Sequence, residues 1–169
     1  DKVTGSAQYA ADFTMPGMVW GKVLRSPHAH ALIKKVDTSK AAELKGVLAV
    51  MTGADLPLLP LDKPRPSGPN DIRWISRGCM AQEKILYSGQ PVAAVAAISN
   101  SVAEAALKLI EVEYDVLPHV IDVDEAMAPD APILHDWLKT DGVDGPTNIS
   151  NIMTVETGDV EKGFAEADL

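Results

Sequence analysis

Cysteine is almost absent from this sequence, which has one, Cys79, in 169 residues. A single thiol cannot form an internal disulfide, a CxxC redox pair or the four-thiolate set of an iron–sulfur cluster. No apolar run reaches the roughly 18 residues that a membrane-spanning helix needs. The chain also opens on Asp1, without an initiator Met or the apolar stretch of a signal peptide. We therefore expect a fragment or a processed start, in a cytoplasmic protein.

Positive charge is also scarce: the chain has 15 Lys and Arg against 24 Asp and Glu, which gives a net charge of −9. Such a surface repels phosphate backbones and disfavours nucleic acid binding. Apolar residues make up 46% of the chain and charged residues 23%, which is typical of a globular protein. The length fits about one domain.

The strongest structural signal lies in the middle of the chain. Residues 92–98 are seven consecutive apolar residues, which predicts a central buried strand. Residues 101–111 predict a helix capped by Asn100 or Ser101, because Ser101 and Glu104 have capping-box spacing. Residues 112–116 alternate apolar and acidic side chains, which is typical of a half-exposed strand. These segments predict a β–α–β unit in an α+β fold, with the helix covering a mixed β-sheet. The apolar face of that helix is predicted to contain Val102, Ala105, Ala106, Leu109 and Ile110.

Other elements are predicted from turn residues and apolar runs. A Pro-rich insert at 57–82, with five prolines, excludes regular structure over most of its length. Residues 128–169 are predicted to be a connector that ends in a strand and a short helix. We further predict strands at 18–24 and 31–36, a fully buried strand at 47–51, helices at 40–44 and 122–127, a strand at 152–155 and a helix within 158–164. Gly46 is predicted to end the helix at 40–44 in the left-handed conformation.

His28 and His30 form an H-x-H pair. If this pair lies on a strand, both side chains point to one face, as two ligands of a zinc site would. His119, His135 or a carboxylate could supply a third ligand. The competing interpretation is two structural histidines at a surface or interface.

Three further groups have competing interpretations. Cys79, with Arg73 and Arg77 nearby, could be a nucleophile, or a small, partly buried apolar residue. Gln90 could face a ligand, whereas Gly89 before it could be needed only for a backbone turn. The acidic residues Asp122, Asp124 and Glu125 are interpreted as a solvated helix start rather than a cation site. The sequence contains no GxSxG elbow, phosphate-binding loop or GxGxxG motif.

The order of several segments is more specific than any single residue. It runs from VTGSAQYAADF (3–13) through RSPHAHA (25–31) and GQPVAAV (89–95) to VEYDVLP (112–118). This order resembles the N-terminal α/β-hammerhead domain of the molybdopterin-binding large subunit of the xanthine dehydrogenase and aldehyde oxidase family, in its bacterial form. The resemblance predicts a hammerhead domain at 1–127, followed by a connector and the start of the next molybdenum-binding domain at 128–169.

The resemblance implies that catalysis takes place outside these residues. In that family the catalytic glutamate and the molybdopterin and substrate contacts lie in domains that follow the hammerhead. We therefore expect no catalytic, cofactor-binding or metal-binding residue in 1–169, and no activity of this fragment alone. The parent enzyme would hydroxylate a carbon centre, with molybdopterin, expected as the cytosine dinucleotide, in the large subunit. Electrons would pass to 2Fe–2S clusters and FAD on partner domains or subunits.

The resemblance also implies the partners. These are the remaining domains of the large subunit and the Fe–S and FAD subunits, with no nucleic acid and no membrane. Two other functions stay open at this point: a free-standing, non-enzymatic binding or assembly module, and a small metal-dependent hydrolase that uses His28 and His30. A biotin or lipoyl carrier is excluded because the sequence has no Met-Lys-Met tip.

Overall fold

The computed structural model describes residues 1–57, 78–136, 140–155 and 157–167. Their contacts divide into two compact units, Asp1–His119 and Val120–Leu169. The first contains strands β1 (Trp20–Arg25), β2 (Ala31–Asp37), β3 (Val47–Thr52), β4 (Lys84–Ile85), β5 (Pro91–Ala97) and β6 (Glu111–Val116), with helices α1 (Ser39–Ala42) and α2 (Asn100–Leu107). The second contains helices α3 (Val123–Met127) and α4 (Val160–Ala165).

Two regions of the sequence prediction are only partly covered by this description. Most of the Pro-rich insert, residues 58–77, lies outside the described residues. The predicted domain boundary after residue 127 stays a prediction, while the contacts separate the chain after His119. Among the helices that the structure describes, we find no candidate for a membrane span.

The strands form two three-stranded sheets. Sheet A has the order β1-β5-β3 and sheet B the order β4-β2-β6, and every pairing among the described strands is antiparallel. The central position predicted for residues 92–98 is confirmed, since β5 pairs with both β1 and β3. The mixture of strands and covering helix is confirmed as an α+β fold.

The predicted β–α–β unit in one mixed sheet is wrong, because β5 and β6 lie in different sheets. β6 pairs instead with β2, where Tyr114 lies opposite Ile33 and Val112 opposite Val36. The half-buried side chains of β6 thus meet apolar partners on β2. Cross-strand pairs of this kind, rather than proximity in sequence, determine which strands join.

Helix α2 covers one face of sheet A and begins earlier than predicted. Its N-cap is Ser99, whose Oγ accepts a hydrogen bond from the Val102 amide at 3.3 Å, and the last helical residue is Leu107. The predicted face is also shifted, because Ala105 is exposed while Ala103 and Ala106 are fully buried. Their small side chains let the helix approach the sheet closely. The core beneath it contains Ala41, Ala93, Val95, Ala106 and Ile110.

A second, smaller core lies where the two sheets meet. Val92 at the start of β5 packs with Ala31 of β2 and Ile85 of β4, and all three are fully buried. Ala81 completes this cluster. The two sheets therefore share one buried contact region, next to the bend that leads from β1 to β2.

One strand prediction is wrong about burial and another about the strand itself. Residues 47–51 form a strand, but it is not fully buried as predicted, since Leu48 is 59% exposed. The reason is its place at an edge of sheet A, where neighbours cover only one side. Residues 152–155 form no strand and are exposed. By contrast, the left-handed stop predicted at Gly46 is confirmed by its φ of +97°.

The carboxylate of Asp37, just before α1, stabilises the fold in a way that depends on pH. Asp37 accepts hydrogen bonds from the Ser39 hydroxyl at 2.6 Å and the Ser39 amide at 3.1 Å, and Lys35 Nζ lies 3.0 Å away. The hydrogen bonds from Ser39 and Lys35 hold the pKa of Asp37 well below its usual range. Because folding lowers this pKa, the ionised carboxylate stabilises the fold above its unfolded pKa of about 3.9, and this contribution is lost as the pH falls below that value.

We expect an NMR titration of the Asp37 carboxyl to show no midpoint near 4. Ser39→Ala should move the pKa of Asp37 upward, because it removes the hydroxyl donor. Ser88→Ala, at an exposed serine away from this turn, is the matched control and should leave the titration unchanged. An Asp37 carboxyl that titrates at its ordinary value in the unsubstituted chain would contradict the assignment.

Candidate functional site

The candidate site is the bend at residues 26–30, together with the turn that precedes β5. The bend joins β1 of sheet A to β2 of sheet B. It is held by two backbone hydrogen bonds: the Ser26 amide donates to the Gln90 carbonyl, and the Gly89 amide donates to the Ser26 carbonyl, each at 2.9 Å. Ser26 is only 3% exposed, and its Oγ accepts from the His28 amide at 3.0 Å. The segments RSPHAHA and GQPVAAV therefore meet in space.

His30 is a buried structural histidine. Its Nδ1 lies 2.6 Å from the Pro118 carbonyl oxygen, and because a carbonyl only accepts, Nδ1 carries the proton. The Leu117 amide donates back to the His30 carbonyl at 3.0 Å. Nε2 is buried and has no hydrogen-bond partner among the described residues. The imidazole thus ties the end of β6 to the start of β2.

His28 faces a different neighbour. Its ring lies edge-on to the ring of Tyr114, with centroids 5.0 Å apart and an interplanar angle of 72°, a favourable aromatic geometry. Burial raises the pKa of the Tyr114 hydroxyl, and a hydrogen bond with Ser26 opposes that effect. His28 therefore packs against sheet B rather than sharing a ligand position with His30.

The proposed third zinc ligands are not brought to this pair. Both histidines lie in the bend and not on a strand, so the strand geometry assumed for the H-x-H pair is absent. His119 is exposed, and His135 belongs to the second unit. Within the described parts of the chain, no three His, Cys, Asp or Glu side chains are grouped so that they could hold a metal ion. The structural interpretation of His28 and His30 fits these contacts better.

Gln90 is also turned into the fold. It is fully buried, and its Oε1 accepts a hydrogen bond from the Leu86 amide at 2.7 Å. Gly89 has a φ of +84°, which confirms the interpretation that a backbone turn needs glycine here. Arg25 Nη1 donates to the Gly89 carbonyl at 2.9 Å and so secures the same turn. The ligand-facing interpretation of Gln90 is wrong.

The remaining sequence candidates also have structural explanations. Cys79 is exposed, which corrects the expectation of a partly buried residue, while Arg73 and Arg77 lie outside the described residues. Asp122 is the N-cap of α3, and its Oδ1 accepts from the amides of Asp124 and Glu125 at 2.9 and 3.2 Å. The predicted helix start at this acidic group is confirmed.

Sequence reasoning missed the organising role of Asn148 in the second unit. Its Oδ1 accepts from the Leu134 amide, and its Nδ2 donates to the carbonyls of Ala126 and Pro132, each at 3.0 Å. One amide side chain thus fastens three points of an irregular connector. No motif or periodicity pointed to this role, because irregular segments have neither.

We expect His30→Ala to lower the free energy of unfolding by about 2 kcal/mol, through the lost hydrogen bond and the cavity left by the ring. His119→Ala, at an exposed histidine, is the control and should change it by less than about 0.5 kcal/mol. Urea denaturation followed by circular dichroism measures both variants. Equal stability of the two would show that the contact between His30 and Pro118 contributes nothing.

Similar proteins identify the family of this chain. Residues 4–118 match the family model described as "Aldehyde oxidase and xanthine dehydrogenase, a/b hammerhead domain". The chain is 42% identical to the carbon monoxide dehydrogenase large chain of Afipia carboxidovorans over 171 residues, with 98% of this chain and 20% of that protein covered. It is 39% identical to a probable xanthine dehydrogenase subunit of Bacillus subtilis, over 99% of this chain and 20% of that protein.

A solved structure of similar fold gives the same assignment. The crystal structure of the Cu,Mo-CO dehydrogenase in its carbon monoxide reduced state superposes with a TM-score of 0.72 and 35% identity, and covers 99% of this chain and 21% of that one. The chain thus spans about a fifth of the length of the curated relatives it matches. The matched region contains both segments of the junction, the bend at 26–30 and the turn before β5. The chain belongs to the xanthine dehydrogenase and aldehyde oxidase family, as the α/β-hammerhead domain of a large subunit.

Proposed function

We propose that this domain is a scaffold within the large subunit of a molybdenum-dependent oxidoreductase, and that the catalytic residues lie outside residues 1–169. One observation carries the proposal: the side chains of the most specific motifs are used to hold the fold together. Gln90 and His30 both bond to backbone groups of their own domain. Side chains engaged in this way are positioned to stabilise a scaffold rather than to meet a substrate.

The reaction of the whole subunit is proposed from its relatives. Their names include a carbon monoxide dehydrogenase large chain, a probable xanthine dehydrogenase subunit and a nicotinate dehydrogenase large molybdopterin subunit. We propose that the whole protein hydroxylates a carbon centre, taking oxygen from water and releasing two electrons and two protons. Molybdopterin, in its cytosine dinucleotide form, would supply the two-electron chemistry when bound. The described residues include no metal-binding group, so no step of that chemistry is assigned to them.

The partners are proposed to be the rest of the large subunit and separate Fe–S and FAD subunits, in the cytoplasm. Exposed large apolar side chains support an interface role, because contiguous apolar patches on a protein surface mark sites where a partner binds. In the first unit alone, exposed large apolar side chains include Trp20, Leu48, Tyr87, Ile98 and Val116, exposed by 44 to 61%.

The test compares two purified proteins, the 169-residue chain and the large subunit encoded by the complete reading frame, coexpressed with the neighbouring Fe–S and FAD genes. We expect molybdenum and substrate-dependent dye reduction only in the second sample, with carbon monoxide, hypoxanthine and nicotinate among the substrates tried. We also expect the 169-residue chain to bind a hydrophobic dye or to self-associate.

Two outcomes would overturn the proposal. A reading frame that stops at Leu169 would support the free-standing binding or assembly module instead. Hydroxylase activity or stoichiometric metal in the 169-residue chain would place the chemistry within this domain. The variant His28→Ala would then show whether that metal depends on the H-x-H pair.

A further inference from the structure

Sheet A has one face that no described element of the first unit covers, the outer face. It consists of Gly21 and Val23 on β1, Ala94 and Ala96 on β5, and Ala49 and Met51 on β3. Val23 and Met51 both lie opposite Ala94, and Gly21 and Ala49 both lie opposite Ala96. Directly opposed residues of antiparallel strands point to the same side, so these six residues share one face. The intervening residues Ala93 and Val95 point to the other side, into the core under α2.

The outer face is apolar and accessible. None of its six residues carries a polar side-chain atom, and Val23 and Met51 are 40% and 37% exposed. Strand β5 is apolar on both of its faces, which is consistent with a strand that is covered on both sides. Helix α2 covers only the inner one.

The size of this face indicates what kind of occupant fits it. Three strands about 4.8 Å apart, over about three residues each, present roughly 150 Å². A stable complex of separate proteins needs about 800 Å² from each partner, so this face alone is too small to hold a second copy or a free protein. A segment of the same polypeptide needs no such area, because its connection to the domain keeps it nearby.

The shape of the face points to a helix. The sheet is about 14 Å wide, which accommodates one helix of about 10–12 Å diameter, as α2 shows on the inner face. Ala94 lies between Val23 and Met51, and Gly21, Ala96 and Ala49 form the next row across the sheet. Because these small residues leave a shallow floor, the facing side chains must be large and apolar to fill the space. We propose that a helix from the part of the large subunit outside residues 1–169 covers the outer face with leucine-sized side chains. This inference rests on the proposed function.

The first experiment measures accessibility in the whole large subunit, in a Cys79→Ser background. Met51→Cys is labelled with a maleimide in the native protein and in guanidinium, and the site of labelling is read by peptide mass spectrometry. We expect labelling at residue 51 to be at least about tenfold slower in the native subunit than in the unfolded one. A native rate within about threefold of the unfolded rate would mean that the face stays open and would overturn the proposal. Ala49→Cys repeats the measurement at a smaller side chain, in case Met51→Cys disturbs the fold.

The second experiment identifies the occupant. A diazirine-bearing amino acid is incorporated at residue 51 during synthesis, because the covered face would exclude a maleimide reagent. The native subunit is then photolysed, and the crosslinked peptide is sequenced. A peptide from outside residues 1–169, on a product with the mobility of a single large subunit, supports the proposal. A crosslink within residues 1–169, a dimer of large subunits or a crosslink to another subunit would each overturn it.

Molybdenum content of the same sample separates this inference from the proposed function. A subunit that contains molybdenum and labels freely at residue 51 would overturn the covered face and leave the proposed function in place. A protected residue 51 in a subunit without molybdenum or activity would overturn the proposed function, and with it the identity of the occupant as a segment of such an enzyme.

Discussion

Replacing Gln90 with leucine should lower the free energy of unfolding of the 169-residue chain by about 3 kcal/mol. Leucine has nearly the same size but no acceptor, so the Leu86 amide loses the oxygen that now lies 2.7 Å away. Gln90 is fully buried, and water therefore cannot replace the lost acceptor without opening the junction. Burying an amide without a partner is among the most costly changes that one substitution can cause.

The matched control for this variant is Gln8→Leu, at a glutamine that is exposed. It should change the stability by less than about 0.5 kcal/mol. Urea denaturation monitored by tryptophan fluorescence and circular dichroism compares the two variants with the unsubstituted chain. If Gln90→Leu were as stable as Gln8→Leu, the hydrogen bond to Leu86 would not be a determinant of this fold.

Gly53→Ala should be similarly damaging, with an expected loss of about 3 kcal/mol. Gly53 begins a short 3₁₀ helix at Gly53–Asp55 that directly follows β3. A Cβ at this position would lie 2.2 Å from the Ala81 carbonyl oxygen and 2.8 Å from its carbonyl carbon. These atoms belong to the backbone, so the segment before β4 would have to move as a whole.

Gly21→Ala is the control for that substitution. Gly21 lies in β1, has ordinary backbone geometry, and a Cβ built there meets nothing within 4 Å. We expect its stability to be unchanged or raised by about 0.5 kcal/mol, because alanine restricts the unfolded chain more than glycine does. Thermal unfolding of both variants measures the difference. Equal melting temperatures would mean that the contact between Gly53 and Ala81 is looser than the structure indicates.

Local features of the fold could be predicted well from the sequence. Helix caps and turns depend on residues close together in the chain, and the Asp122 cap and the left-handed Gly46 are confirmed. The central place of β5 followed from seven consecutive apolar residues. Where the pattern was weaker, the predicted boundary was wrong. The cap of α2 is Ser99 and not Asn100 or Ser101, because several neighbouring Ser and Asn side chains could fill that position.

Long-range features could not be predicted in this way. The role of Gln90 depends on the contact of its turn with Ser26, far earlier in the chain, and on the close packing of the elements around the junction. The interpretation of His28 and His30 as zinc ligands depended on their lying on a strand, whereas they lie in a bend and face Tyr114 and Pro118. Contacts between residues so far apart in the chain produce no periodic pattern in the sequence.

The sequence by itself therefore determined the family, the local elements and the expectation that this chain is one domain of a larger enzyme. This was possible because the order of the motifs can be read directly from the sequence, and the local backbone conformation depends on residues that are close together in the chain. Only the tertiary structure decided that the strands divide into two antiparallel sheets, that the motif side chains bond to their own backbone, and that one face of sheet A is left open by the described elements. Those outcomes depend on which distant surfaces fit together, and side-chain packing across the sheets determines that fit.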